Sequence, residues 1–504
     1  MATPSEKLAG SLELLKKLQN EKGLAVIHAN EMSRTHKTRL VENGFLKKVL
    51  KGWYIATKPE ERDGDTTSWY MSFWYFISKY LNTRFNGEWC LSPEQSLSIH
   101  SGNHAVPNQL LVRSLKAQNN VVSLLHNTSI LDLKSAIPDK NERIETNGLQ
   151  IYSLAAGLLN CSPNYFVDNP TDSRTCLSMV KSSSKILSLL LQGGHSVKAG
   201  RLAGAFRNIG SIRIADEILN TMKSVGYDVR EADPFVEKSP FVLKQRETSP
   251  YVTRIGLMWH QMRQVVLENF PKPGGMPNDH NAFLKQIEET YKFDAYHSLS
   301  IEGYRVTMDL IEKVRIGEWN PKEDASDKQQ KDVMAARGYW QAFQKVKENI
   351  KEVLEGRNSG EVVDEAHGVW FTELFAPSVA AGILKTTDLA GYRNSPVYIK
   401  GSKHVPPGAN AVYDTMPALF DLLRVEDSPA VRAVLGHFIF AYIHPYMDGN
   451  GRISRFLMNV MLASGGFNWT IIPVERRDEY MTALEQASVR LDILPFTRFI
   501  RSLL

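Results

Sequence analysis

Two apolar helical runs joined by the loop His444 to Arg455, HPYMDGNGRISR, constrain this chain more than any other feature. Ser428-Pro429 reads as a helix start, with Ser at the N-cap and Pro at the first helical position, and the run to Ile443 is almost wholly apolar. Such a helix belongs in a core. It must stop at His444, because Pro445 disfavours helical geometry in the residue before it. Beyond the Gly449-Asn450-Gly451 turn, Ile453, Phe456, Leu457, Val460 and Met461 fall at helical spacing, and Gly465-Gly466 supplies a C-terminal stop. The loop is therefore expected between two core helices.

A glycine-rich turn that opens onto a helix N-terminus attracts anions, because unpaired N–H groups and the helix dipole meet there. Gly449 and Gly451 permit close backbone approach, and the Asn450 amide can donate to a phosphate oxygen. Arg452 and Arg455, three apart, offer planar donor forks that suit a polyphosphate. Asp448 is a hard oxygen ligand beside those phosphates, of the kind Mg²⁺ takes while keeping most of its waters. His444 remains for proton transfer, since a reference pKa of about 6.5 lets it deprotonate a hydroxyl at neutral pH.

HPYMDGNGRISR resembles the signature of the Fic family, H-x-F-x-[DE]-G-N-G-R-x-x-R, with Tyr446 where the family more often has Phe. The resemblance implies transfer of AMP from ATP to a protein hydroxyl, with His444 as the base that activates a target Tyr, Ser or Thr. It implies further that Asp448 holds Mg²⁺, that Gly449, Asn450 and Gly451 form the anion hole, and that Arg452 steadies the phosphates while Arg455 reaches the γ-phosphate. Family members often modify themselves or form homodimers.

Upstream, Ser298 and Glu302-Gly303 match the pattern [ST]-x-x-x-E-[GN], which resembles the inhibitory motif of many Fic proteins. Ser298 and Glu302 share a helix face at i and i+4, and the resemblance implies that Glu302 pairs with Arg455 in place of a γ-phosphate. The alternative is a capping or surface glutamate. The stretch Tyr392 to Val405 alternates at Val397 and Ile399 around Tyr398, turns at Lys400-Gly401-Ser402 and ends at Pro406-Pro407, which predicts a short hairpin with an exposed edge. A purely structural hairpin fits the same pattern; in Fic proteins a hairpin here, the flap, registers the target by strand addition. Tyr480 resembles a contact on the adenine-side wall, or else a core aromatic at helical spacing.

The first half of the chain reads differently. From Arg34 to Lys51 the cations Arg34, Lys37, Arg39, Lys47, Lys48 and Lys51 face the single acid Glu42. Around them the pattern predicts helices over Ser5 to Leu18, Leu24 to Ala29 and Ser33 to Glu42, then two short strands from Phe45 to Ile55. That is a winged helix-turn-helix in outline, with Arg34, Lys37 and Arg39 toward a major groove and the wing lysines toward phosphates. A winged helix used only for protein contacts is the alternative. The stretch TRLVENGFLKKVLKGWYIA resembles the N-terminal winged helix of AbiEi-type abortive-infection antitoxins, and the likeness continues more faintly to about Asp233.

With 504 residues, of which 43% are hydrophobic, the chain is long enough for two to four domains and has no apolar run able to cross a bilayer. No signal peptide opens it, and three cysteines without metal-ligand spacing suit a reducing cytoplasm. Pro234, Pro240 and Pro250 punctuate the passage to the C-terminal half, where Thr253 to Phe270 reads as the first helix packed on the catalytic core. The expected organisation is a winged helix over 1–57, an α+β middle domain over 58–235 and an all-helical Fic core with a β-hairpin flap over 236–504. The expected activity is autoinhibited protein adenylylation. Transfer of another nucleotide, removal of AMP, or an ATP-sensing DNA-binding regulator are the alternatives.

Overall fold

The computed structural model of the chain describes residues 3–22, 26–61, 64–239, 249–318 and 327–504. Twenty α-helices and nine short strands among them make the protein mainly α. The chain divides into two compact units, one of Met1–Pro250 with Tyr398–Val405, the other of Tyr251–Val397 with Pro406–Leu504.

In the first unit, helix Pro4–Lys22 leads to strand Val26–His28, a 3-10 turn Ala29–Glu31, helix Arg34–Glu42 and strands Leu46–Leu50 and Trp53–Ala56. Ser33 caps helix Arg34–Glu42 by accepting from the His36 N–H. The three strands form an antiparallel sheet with Trp53–Ala56 in the middle. The helix expected over Leu24 to Ala29 is not what forms: Leu24 and Ala25 lie outside the described residues, and Val26–His28 is a strand. The reason is the β-branched pair Val26 and Ile27, both fully buried, for which a pleated half-buried surface is the better fit.

Trp53 of this sheet meets Phe76 and Tyr80 of helix Thr67–Phe85 edge-on, so one apolar core runs from the sheet into the region that follows. A four-stranded mixed sheet comes next, ordered Cys90–Leu91, Gln109–Ser114, Ser129–Lys134, Val121–Ser123, with the two central strands parallel. A two-stranded ribbon, Arg143–Thr146 with Leu149–Tyr152, and six helices from Leu154–Asn160 to Ile212–Ser224 complete it. Cys90, Cys161 and Cys176 are buried thiols, and burial pushes Cys90 and Cys161 up to about 12, far from reactive thiolate. Pro240, one of the expected boundary prolines, lies outside the described residues.

The second unit is helical. Trp259, Met262 and Val266 of helix Pro250–Asn269 are buried, as their spacing predicts. Helix His280–Ile301 begins at Asp279, whose carboxylate accepts from the Ala282 N–H at 2.9 Å. At the centre, helices Pro429–Ile443 and Asn450–Ala463 pack on each other, and the latter buries every residue but Gly451. Ser428 caps the first of them, with Pro429 in its first turn. His444 ends it in the left-handed conformation, φ 53° and ψ 59°.

No strand forms between Tyr392 and Val405, against the expected hairpin flap. Only its turn survives: Gly401 takes φ 77° and the Ser402 N–H reaches the Ile399 carbonyl at 3.1 Å. Pro396, Pro406 and Pro407 lack donors at both ends of any ladder, and the Lys403 carbonyl is taken by the Val106 N–H at 2.9 Å. Val397 is buried and Tyr398 and Ile399 half-buried, so no free edge of the expected kind is presented. No described helix is long and apolar enough to cross a membrane.

Candidate nucleotide site

The loop between the two central helices is built by its own polar atoms. The Asn450 side chain accepts from the Tyr446 N–H at 2.9 Å and donates to the Tyr446 carbonyl at 2.8 Å. Its amide is thus committed to shaping the turn, and the expected side-chain donation to a phosphate is replaced by a structural role. Tyr446, the ring that stands where phenylalanine is commoner, stacks on Phe371 at 4.1 Å and 8° and is buried. Gly449 takes φ 83° at the N-cap of helix Asn450–Ala463, and a side chain there would also strike the Phe375 ring at 2.8 Å.

At this N-terminus lies a carboxylate. A Cβ added to Gly451 would come within 2.3 Å of Glu302 Oε1, so the acid rests directly against the backbone of the first helical turn, where the dipole and free N–H groups favour an anion. Arg455 Nη2 donates to the same oxygen at 2.7 Å and to the Ser298 carbonyl at 3.1 Å, and Arg455 Nε donates to Ser298 Oγ at 2.9 Å. Burial alone would raise the Glu302 carboxyl, yet Arg455 and then Arg452 hold it below the usual carboxylate range. On Arg455 burial opposes the charge, and Glu302 more than offsets it, so its pKa is raised.

Glu302 arrives there because of Gly303. The Gly303 N–H bonds the Ser300 carbonyl and the Tyr304 N–H bonds the Leu299 carbonyl, the double closure that a left-handed glycine allows, with φ 88° here. The same turn delivers Tyr304, which with Phe375 sandwiches the Arg452 guanidinium at 5.3 and 4.8 Å. Arg452 is fully buried, reaches Asp448 Oδ1 at only 3.4 Å, and among the described residues keeps Nε and Nη1 without hydrogen-bond partners. It is a preoriented fork with donors to spare.

Asp448 itself is exposed and accepts from the Gly449 N–H at 2.6 Å. Among the described residues no group of three or more His, Cys, Asp or Glu is placed to hold a metal alone. A single hard carboxylate beside a helix N-terminus would nonetheless suit Mg²⁺, which can take its other ligands from phosphate oxygens and water.

His444 points Nδ1 at the Ala441 carbonyl, 3.2 Å away. If that nitrogen carries the proton, Nε2 is the basic atom. Burial pulls the ring down to about 4, aided by Arg393 and opposed by the Ala441 bond, Glu302 and Asp448. The imidazole is therefore neutral and able to accept a proton across the neutral range. His437, fully buried in the same helix, is pulled to about 3 by burial and then by Arg455.

These two histidines refuse in the fold the protons that the unfolded chain takes near the ordinary 6.5. Their contribution to stability is present above pH about 6.5 and is lost as pH falls towards 4. Asp294, raised to about 6 by burial, works in the opposite direction over part of the window but is outnumbered, since burial lowers His260, His297 and His367 as well. Melting temperature is expected to fall between pH 6.5 and 4.5; a rise over that interval would contradict the assignment.

Several other expectations need correction. Tyr480 is no open wall: it is 1% exposed, its hydroxyl bonds His437 Nε2 at 2.8 Å, and its ring packs with Phe496 and Phe499. Helical spacing placed it in the core. In the first unit, Arg34, Lys48 and Lys51 are exposed, whereas Lys37, Arg39 and Lys47 are half-buried. Arg39 Nη1 donates to the Lys7 carbonyl at 2.8 Å and Ser11 Oγ at 2.9 Å, and Lys37 sits over the Tyr54 ring, so these two are turned to intramolecular contacts rather than a free face.

Nothing in residue spacing marks Tyr304 and Phe375 as clamps on Arg452. Nor does it single out Arg477, whose Nε donates to the Ile301 carbonyl at 3.0 Å and so holds the end of the helix that carries Ser298.

Residues 363–462 match the Fic/DOC family. The Fic/DOC region contains the whole stretch His444 to Arg455, while Ser298, Glu302 and Gly303 lie N-terminal to it. Protein adenylyltransferase Fic of Drosophila willistoni is 33% identical over 230 residues, 44% of this chain and 41% of that protein. The Nematostella vectensis protein of the same name is 29% identical over 220 residues, 43% of this chain and 47% of its own length. The chain thus spans less than half the length of these curated relatives. Among solved structures, a fragment of Fic-1 from C. elegans aligns over 60% of this chain and 94% of its own, at a TM-score of 0.37 and 18% identity. A Fic domain containing signaling protein from Bacteroides thetaiotaomicron aligns over 50% and 93%, at a TM-score of 0.35 and 16% identity.

Proposed function

We propose that the second unit is an autoinhibited protein adenylyltransferase that moves AMP from ATP to a Tyr, Ser or Thr hydroxyl of a protein. The observation that carries this is the Glu302 carboxylate, which lies against the helix N-terminus at Gly451 and on Arg455, where an anion of the substrate would have to sit. In the active state the phosphates replace that carboxylate, with the backbone donors of residues 449–451 and the forks of Arg452 and Arg455 around them. The target oxygen attacks the α-phosphorus in line, its proton passes to His444 Nε2, and the bond from the α-phosphorus to pyrophosphate breaks. Mg²⁺ at Asp448 would neutralise phosphate charge when bound. Relatives named protein adenylyltransferase Fic agree with this chemistry.

The test is intact mass of the purified chain after incubation with Mg²⁺ and each nucleoside triphosphate in turn, alone and with candidate protein acceptors. Gain of one AMP, in the chain or an acceptor, is the expected result. Gain from UTP or GTP instead would keep the transfer and change the base, since the cradle holds phosphates rather than a ring. Loss of AMP from a modified acceptor would reassign the site to removal, with Glu302 as the group that positions water.

For the first unit we propose DNA binding through the three-stranded sheet and helix Arg34–Glu42. The order helix, strand, 3-10 turn, helix, two strands supports a winged helix-turn-helix, and the exposed Arg34, Lys48 and Lys51 supply the cations. The likeness to AbiEi-type antitoxins in this stretch agrees. Lys48→Ala/Lys51→Ala should weaken binding to duplex DNA and lower the slope of log affinity against log salt by about 2. Binding that ignores salt, or none in the parent, would leave the unit a protein-contact module.

A further inference from the structure

Arg393 is 2% exposed, and among the described residues none of its hydrogen bonds goes to a carboxylate. Burial alone pulls its pKa down to about 10, with no acid to oppose it. A guanidinium buried without a counter-charge is costly unless carbonyl oxygens satisfy it. Here they do, from three stretches of chain. Nε donates to the His444 carbonyl at 2.7 Å, Nη1 to the Ser395 carbonyl at 3.1 Å, and Nη2 to the carbonyls of Ile443, at 3.3 Å, and Pro407. The Arg393 N–H adds a bond to the Pro445 carbonyl at 2.9 Å.

Two of those carbonyls, Ile443 and His444, stand at the end of helix Pro429–Ile443, where unpaired C=O groups and the dipole favour a cation. The residue thus capped is His444, a non-glycine held in left-handed geometry, which persists only where its surroundings over-determine it. The other two, Ser395 and Pro407, flank the segment 396–406.

We propose that Arg393 is a positioning residue for the transfer reaction: its guanidinium fixes the backbone that aims His444 and joins it to both ends of the segment 396–406. The proposal rests on the transferase assignment above. Arg393 touches no substrate; it acts by keeping His444 Nε2 where a hydroxyl proton must be taken, and misplacement of a reacting group by about 1 Å costs on the order of a hundredfold in rate.

The experiment uses the full chain in the Glu302→Gly background, with Arg393→Gln and Arg393→Lys. Three quantities are read: kcat for AMP transfer, Kd for ATP by calorimetry, and the ring resonance of His444 in ¹³C-histidine-labelled protein, assigned by His444→Asn. Arg393→Gln is expected to lower kcat about a hundredfold while Kd changes by less than about threefold, and to split the single His444 resonance into more than one. Arg393→Lys, which restores the charge without the fork, should recover part of the rate. Unchanged kcat, or kcat and ATP binding lost together in step with the folded fraction, overturns the proposal. If the Glu302→Gly parent transfers nothing, the transferase assignment fails, and the resonance decides Arg393 alone: one unchanged signal in Arg393→Gln overturns it.

Discussion

Glu302→Gly is expected to raise AMP transfer about a hundredfold, the scale on which one preoriented charge donor acts on a transition state. On the proposed reading, Glu302 would block the phosphates of the wild-type chain in two ways at once. It lies against Gly451 at the helix N-terminus, and it engages Arg455 Nη2 at 2.7 Å. Removing the carboxylate clears the first turn for phosphate and returns the guanidinium to it.

The same change has a cost that serves as an internal check. Arg455 is 4% exposed, and Ser298 then remains to hold it. Removing the carboxylate leaves the buried guanidinium with one charged partner fewer, and because Glu302 itself is partly exposed the loss should be modest, about 1 kcal/mol. The apo variant should therefore melt lower than wild type, and ATP should raise its melting temperature more than it raises that of wild type. A variant with unchanged or lower transfer in the intact-mass assay would remove Glu302 from its inhibitory role, however its stability moved.

The second large effect is expected at His444. His444→Asn in the Glu302→Gly background should reduce transfer by about 10² to 10⁴, the usual range for general-base catalysis, and should leave ATP affinity within about threefold. Asparagine is the sharper choice over alanine, because it tolerates the left-handed backbone that residue 444 adopts and so removes the base with least disturbance of the loop. With the imidazole pulled down to about 4, the rate in the Glu302→Gly chain should not fall through loss of this base between pH 8 and 6. Transfer that survives His444→Asn would mean that another group accepts the proton.

Much of the second unit is legible in its sequence. The apolar run Ala430 to Ile443 and the Ser428-Pro429 start are local signals, and both helices appear where periodicity places them. The stop at His444 followed from Pro445 by simple steric conflict, although its left-handed geometry did not. The first unit was less legible. Val26–His28 is too short for a periodic pattern, and burial against a sheet partner turned it into a strand. The hairpin at Val397 to Ile399 failed for a related reason: alternation shows which side chains could share a face, while ladder formation needs donors and a partner strand that the flanking prolines and Val106 withdraw.

Local pattern alone sets the helix–loop–helix, the position of His444, the glycine turn and the i, i+4 spacing of Ser298 and Glu302, because each depends on residues within a few positions of one another. Which atoms those residues meet depends on packing between distant segments. Glu302 finds Arg455 across 153 positions, and Arg393 finds His444 across 51. The Asn450 amide turns inward to Tyr446, Tyr480 closes on His437, and Arg39 reaches the Lys7 carbonyl and Ser11 of another helix rather than facing outward. A polar side chain in a close-packed interior must take whichever partner the fold brings within hydrogen-bond reach, and that choice is set by packing between segments remote in sequence, about which spacing along the chain carries no information.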